Sequence, residues 1–317
     1  DMQPAAVHWH GMGWTGPVPA LRYLRCVASL RRTLPPPDAL YCRHAPTAIM
    51  TSMSSAPLLF ETHALQSGAV HRALEAATIS LPNLRHVVTV SGTLRQDLLR
   101  RYHGLSPERV VTLHDAACIP ANQPPPSIPP MRDVLQVGYV GSLYHGKGAQ
   151  FVARLANQLP EYDFHIVGGS EADTRALRNE CGRTANLRIH GYRPHSDLPA
   201  VYASLDIGLV PPSRTVLDRD GNDIGRWTSP LKLFELMAHG VPVIASDLPN
   251  IREVVNDRQQ CLLAPPDVPT AWADRIRTLA SNPRLRRTLG MAGRELVMTT
   301  YTWNSRAHQI AALLATT

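Results

Sequence analysis

Short apolar runs alternate with amphipathic stretches along most of the chain. In the first part VHWHG, DALYCR, PLLFETH, HVVTVS and RVVTLHD read as strands, with helical spacing at about 18–34, 67–77 and 93–102. Compact runs of β-branched and aromatic residues fit strands, whereas apolar positions three and four apart fit one face of a helix. Strand alternating with helix predicts a parallel sheet. After residue 134 the alternation is cleaner. VLQVGYVGSL, YDFHIVGG, LRIHGY, IGLVPP, VPVIAS and CLLAP read as six strands, with helices over 147–159, 171–182, 196–204, 230–239, 249–255 and 268–281. A last helical pattern runs from about Pro283 to Leu314 and carries YTW at 301–303. There is no internal repeat.

Between the two parts lies PANQPPPSIPPMR, whose six prolines fix the backbone and remove donors, so 120–134 is expected to be a semi-rigid linker. The resulting division is an N-terminal Rossmann-like domain over 1–119, a second over 135–300, and a closing helix over 301–317 that crosses back to the first. In doubly wound sheets ligands collect at the carboxyl ends of the strands, where glycines let the backbone approach and helix N-termini favour anions. Gly141, Gly146, Gly148, Gly168, Gly169 and Gly191 all fall at or near predicted strand ends.

With 317 residues, 44% of them apolar, the chain has material for two cores. Its five cysteines are scattered and form no Cys-x-x-Cys pair, which suits a reducing cytoplasm better than a disulfide framework or a zinc site. No apolar run approaches the ~20 residues that cross a bilayer, so the expected location is cytoplasmic, with room for peripheral contact at an anionic inner membrane face. A net charge of +7 raises nucleic acid as a partner, but the basic residues are spread along both halves and aromatics make up 6%. The interleaved stacking platform of a nucleic-acid binder is missing.

Only two of the 32 basic residues are lysines, Lys147 and Lys232, and each sits beside a segment that reads as a phosphate-binding helix start. A compact, rotatable ammonium in a chain that otherwise uses arginine points to a nucleotide diphosphate. In Ser229-Pro-Leu-Lys-Leu-Phe-Glu235 the serine can cap a helix, Pro230 suits its first position, and the amides of Leu231 and Lys232 face an incoming anion. Lys232 and Glu235 share a face. A carboxylate one turn inside such a start suits the vicinal hydroxyls of a ribose, while the amides and lysine take phosphates. By spacing alone, the same pair also reads as an ordinary i,i+3 surface pair worth a few tenths of a kcal/mol, and Lys147 as a solvated turn residue.

SPLKLFELMAHGVPVIASDLPNIREVV resembles the donor-site signature of family 4 glycosyltransferases, which have the GT-B fold, two Rossmann-like domains facing across a cleft. VGYVGSLYHGKG resembles that family's first C-domain strand and phosphate loop, and YDFHIVGGS and LRIHGY its next two strands. VVTVSGTLRQDLLRRYHGLSPERVVTLHDA resembles the end of its acceptor domain, FETH its Glu-x-His segment, and YTW the start of its closing helix. The resemblance covers about 35–315. It implies that Glu235 binds ribose hydroxyls and that Lys147 and Lys232 bind the diphosphate. Gly141, Ser142, Gly169, Ser229 and Leu231 would complete the donor site, and Gly191 and Tyr192 would border the base. Glu61, His63 and Ser91 would lie on the acceptor side, with His63 near the transferred sugar. It further implies retention of configuration, a UDP- or GDP-sugar as co-substrate, a sugar, lipid-linked or small-molecule acceptor, and no bound metal.

Two positions depart from the family pattern. The first Glu of the motif, eight places before Glu235, is Trp227, leaving Asp218, Asp220 and Asp223 as nearby carboxylates. The second cation of the phosphate loop is Ser142. Residues 1–34 do not supply the opening strand, Gly-Gly loop and long helix; a missing segment is the expectation, a reduced acceptor domain the alternative. His8 and His10 share a strand face but lack a third ligand. Beside the transferase stand two other readings, a catalytically weak sugar-nucleotide-binding subunit and a sugar-nucleotide epimerase.

Overall fold

The computed structural model describes residues 29, 36–52, 55–182, 184–218 and 221–315. The strand expected at VHWHG, most of the helix expected at 18–34, and Asp220 lie outside them.

The N-terminal part is a parallel sheet with order β1-β2-β3-β4. Its strands are β1 (Leu40–Cys42), β2 (Leu58–Thr62), β3 (Leu84–Thr89) and β4 (Val110–Thr112), and its connections are α1 (Ala45–Thr51), α2 (Ala69–Ile79) and α3 (Gly92–Arg101). Every residue of β2 is buried, as expected of an interior parallel strand rather than one with a wet face.

The C-terminal part holds all six expected strands: β5 (Gln136–Val140), β6 (Asp163–Val167), β7 (Leu187–Gly191), β8 (Ile207–Val210), β9 (Val243–Ser246) and β10 (Leu262–Ala264). They form one parallel sheet in the order β10-β9-β8-β5-β6-β7. The helices are α4 (Ala149–Gln158), α5 (Glu171–Cys181), α6 (Leu198–Tyr202), α7 (Leu231–Ala238), α8 (Pro249–Arg252) and α9 (Pro269–Ala280). Two hydrophobic clusters are built on this sheet, one including Phe234, Leu236 and Val243, the other Phe164, Ile207 and Trp272. Because the strand order reverses between β5 and β8, the connections diverge there and leave a crevice.

The final helical pattern divides into α10 (Pro283–Thr300) and α11 (Trp303–Ala315). At the break the carbonyl of Tyr301 accepts the amide of Ala117 at 2.9 Å, and Thr302 bridges to Ala117. Arg306 on α11 then reaches the N-terminal sheet. The proline-rich stretch packs more closely than a free spacer would. Ile128 is buried, its amide and that of Ser127 donate to Ser204 Oγ, and Arg132 grips Asp163 through its amide and guanidinium.

Candidate functional site

The crevice between β5 and β8 holds a pocket of about 300 Å3, lined among others by Gly141, Ser142, Lys147, Ser229, Leu231 and Lys232. Two segments far apart in sequence thus place both lysines on one cavity. A neighbouring pocket of about 680 Å3 lies over the ends of β5, β6 and β7, where Gly169, Tyr192 and Arg193 join Gly141, Ser142 and Lys232. Lys232 borders both. Gly191 ends β7 in a left-handed conformation and its carbonyl accepts the Gly168 amide, but it lines neither pocket.

Lys147 stands between Gly146 (φ +82°) and Gly148 (φ +103°), and α4 begins at Ala149, two residues later than the spacing suggested. A side chain at Gly148 would put its Cβ 2.3 Å from the carbonyl oxygen of Pro211, so the loop lies flat on the end of β8. Burial pushes the Lys147 ammonium below its ordinary pKa, and it lies 5.7 Å from the centre of the Tyr144 ring.

Glu235 is buried and lines neither pocket, reaching them only through Lys232. Its Oε2 accepts the Lys232 ammonium at 2.6 Å and the phenolic hydrogen of Tyr202. One oxygen is thereby committed to two donors. Tyr202 is 1% exposed, and burial followed by the charge of Glu235 raises its pKa far beyond the ordinary phenol range. It packs against His239 at 4.8 Å, whose Nδ1–H donates to the Glu235 carbonyl. Nothing in the local pattern around Tyr202 announces this contact.

The start of α7 differs from expectation. Pro230 caps it rather than occupying its first turn, and the cap has no side-chain hydrogen bond. The Ser229 hydroxyl instead accepts the amide of Asp115 from the N-terminal part at 3.1 Å, and the Leu231 amide is turned back to Ser229 O at 3.0 Å. Asp115 also lines the 300 Å3 pocket, bringing an N-terminal carboxylate to the lysines. Sequence reading missed it because the meeting joins two separately folded sheets.

Trp227 lines neither pocket and faces the N-terminal part. Its Nε1–H donates to Asp97 at 2.8 Å and its carbonyl accepts the Ser91 hydroxyl at 2.9 Å. Beside it, the Arg226 carbonyl accepts from Thr93 Oγ1 and its guanidinium pairs with Asp97. Ser91 also accepts the Leu94 amide and so caps α3. Glu253, just past α8, accepts the amides of Gly92 and Thr93 at 2.6 and 2.8 Å. A C-terminal carboxylate therefore fills the anion position of an N-terminal helix. Asp218 and Asp223 brace their own loop through the amides of Asn222, Val216 and Gly225. Among the described residues no three His, Cys, Asp or Glu side chains group as metal ligands.

Glu61 and His63 are at the carboxyl end of β2. Glu61, 3% exposed, accepts from Arg306 at 2.6 Å, from His63 at 2.5 Å and from Tyr41. Burial alone would raise its carboxyl; the bonds and charges of His63 and Arg306 outweigh that and hold it below the ordinary carboxylate range. His63 lines a third pocket, of about 260 Å3, and not the two that share Lys232.

Solved structures share this architecture. Sucrose-phosphate synthase from Thermosynechococcus elongatus superposes with a TM-score of 0.72 at 21% identity, covering 92% of this chain and 76% of that one. An Anabaena HepE structure in complex with UDP-glucose gives 0.71 at 16%, covering 92% and 81%. The fold is GT-B. In sequence, the D-inositol 3-phosphate glycosyltransferase of Corynebacterium glutamicum (strain R) is 30% identical over 189 residues, 56% of this chain and 42% of that protein's own length. No helix among the described residues is long and apolar enough to cross a membrane. Residues 135–282, which contain both lysines, Tyr202 and Glu235, match the family described as "Glycosyl transferases group 1".

Proposed function

We propose that the protein is a retaining glycosyltransferase that moves a hexose-type sugar from a nucleotide diphosphate to an acceptor hydroxyl. The observation that carries this reading is the convergence of Lys147 and Lys232 on one pocket at the strand-order reversal, with buried Glu235 bonded to the second lysine. The diphosphate lies between the lysines and the start of α7. Glu235 takes the ribose hydroxyls, and the base occupies the wider pocket beside Tyr192. As the bond to the anomeric carbon breaks, negative charge grows on the departing diphosphate, and the two ammonium groups stabilise it without reorganisation. The acceptor attacks from the face that the diphosphate leaves, so configuration is retained without a metal. A UDP- or GDP-sugar is the donor class and the location is cytoplasmic. His63 acts on the acceptor side, consistent with its lining a pocket apart from the lysines.

A thermal-shift panel of UDP, GDP, ADP, TDP and CDP with their hexose conjugates, run on wild type and Lys232→Ala, tests the donor site. Stabilisation by one base that the substitution abolishes is expected; no shift with any nucleotide refutes it. A second reading, a sugar-nucleotide-binding subunit with weak catalysis, draws support from Trp227, which serves the inter-domain contact where the family motif has a carboxylate. Donor hydrolysis by the isolated protein separates the two, since the subunit would bind without turnover.

A further inference from the structure

The pocket around His63 opens at the carboxyl ends of β1 and β2, and its polar lining includes Arg43, His44, His63, Gln66 and His71. Among the described residues no Asp or Glu side chain lines it. Glu61, a carboxylate behind its wall, is matched by Arg306 at 2.6 Å, by the hydroxyl of Tyr41 and by His63 of the pocket itself at 2.5 Å. Arg43 approaches Glu61 only through Nε, at 3.6 Å, and is 62% exposed, so the rest of its guanidinium fork is presented outward. Buried Arg306 thus balances Glu61, and the positive charge of Arg43 remains for whatever enters.

The pocket also adjoins the donor side. Gln66 lines it, and the next residue, Ser67, donates to Asn222 at 2.6 Å. Asn222 belongs to the loop whose Gly225 lines the 300 Å3 pocket. One hydrogen bond therefore joins the rims of the two cavities.

We infer that this pocket binds an anionic group, a phosphate ester, carried by the acceptor at a distance from its reacting hydroxyl. The outer nitrogens of the Arg43 guanidinium, with the His71 imidazole across the same pocket, are the kind of donors that recognise phosphate oxygens, whereas His63 is already bonded to Glu61. A neutral sugar would leave that charge unmatched. The word acceptor rests on the transferase reading; the anion site itself does not.

The test is calorimetric titration of protein saturated with UDP, so that the lysines are occupied. Glycerol 3-phosphate is compared with glycerol, and phosphatidylglycerol vesicles with phosphatidylcholine vesicles, on wild type, Arg43→Glu and His71→Gln. Preference for the phosphate-bearing member by tenfold or more, reduced at least tenfold by Arg43→Glu with UDP affinity unchanged, is expected. A response to glycerol 3-phosphate identifies a soluble phosphate ester, and a response to vesicles alone identifies a lipid headgroup. Equal affinity for charged and neutral members, or binding indifferent to both substitutions, overturns the inference. If UDP fails to bind wild type, the donor reading falls, while the same titrations without UDP still decide the anion site.

Discussion

Arg306 and Glu61, 245 residues apart in the chain, meet through a 2.6 Å bond that ties α11 to the end of β2. Both side chains are buried, with 9% and 3% exposure. Removing the guanidinium breaks a buried ion pair, which costs up to about 3–5 kcal/mol, and leaves the carboxylate to His63 and Tyr41. Arg306→Met is therefore expected to lower the urea midpoint sharply, and pairing it with Glu61→Gln should recover part of the loss. Additive losses in the double variant would refute the coupling.

The same carboxylate sets a pH dependence. Its folded pKa lies below the ordinary value, so its contribution is present above the unfolded carboxylate pKa of about 4.3 and is lost as pH falls through the folded value. Urea melts below pH 5 should show wild type losing stability more steeply than Glu61→Gln.

His165 acts at a higher pH. It is fully buried, its Nε2–H donates to Gln136 at 2.7 Å, and its Nδ1 accepts from His190 at 3.0 Å. Burial first and the neighbouring His190 second push its pKa from 6.5 to about 4. The unfolded chain takes up a proton near pH 6.5 that the folded one refuses, so stability falls between pH 6.5 and 4, by about 3 kcal/mol at most. His165→Gln should flatten that slope whatever it does to stability at neutral pH; an unchanged slope assigns it to other groups.

Tyr202→Phe removes one of the two donors on Glu235 Oε2. A hydrogen bond to a charged group contributes about 1.5–3 kcal/mol, and part of that appears as looser positioning of the carboxylate. Nucleotide affinity should fall about tenfold, the equivalent of about 1.4 kcal/mol. Affinity equal to wild type would show that Lys232 alone holds Glu235.

Gly148→Ala forces a side chain into a left-handed conformation against the Pro211 carbonyl. Strain of this kind costs about 1–3 kcal/mol and displaces Lys147. Reduced melting temperature together with weakened nucleotide binding is expected, whereas Gly104→Ala, with open space around it, should do neither.

The C-terminal sheet was readable because five of its six strands are short runs closed by glycine or proline, and the Lys232–Glu235 pairing because helical spacing alone brings i and i+3 together. What escaped was decided between elements. Ser229 reads as a cap, yet its hydroxyl is claimed by Asp115 across the cleft. Trp227 looks like a gap in a motif, yet Asp97 and Ser91 make it an inter-domain contact. The pattern over 283–314 is uninterrupted, yet Tyr301 leaves the helix because Ala117 takes its carbonyl and Phe234 packs on its ring at 4.6 Å. Local periodicity carries no information about such partners.

The return of α11 to β2 also orders events on the ribosome. At about 5–20 residues per second, Arg306 is synthesised roughly 10–50 s after Glu61. Throughout that interval the nascent N-terminal sheet contains a carboxylate whose guanidinium does not yet exist. Its final tightening must therefore follow translation of the C-terminal sheet, so the earlier of these two sheets to be made is the later to mature.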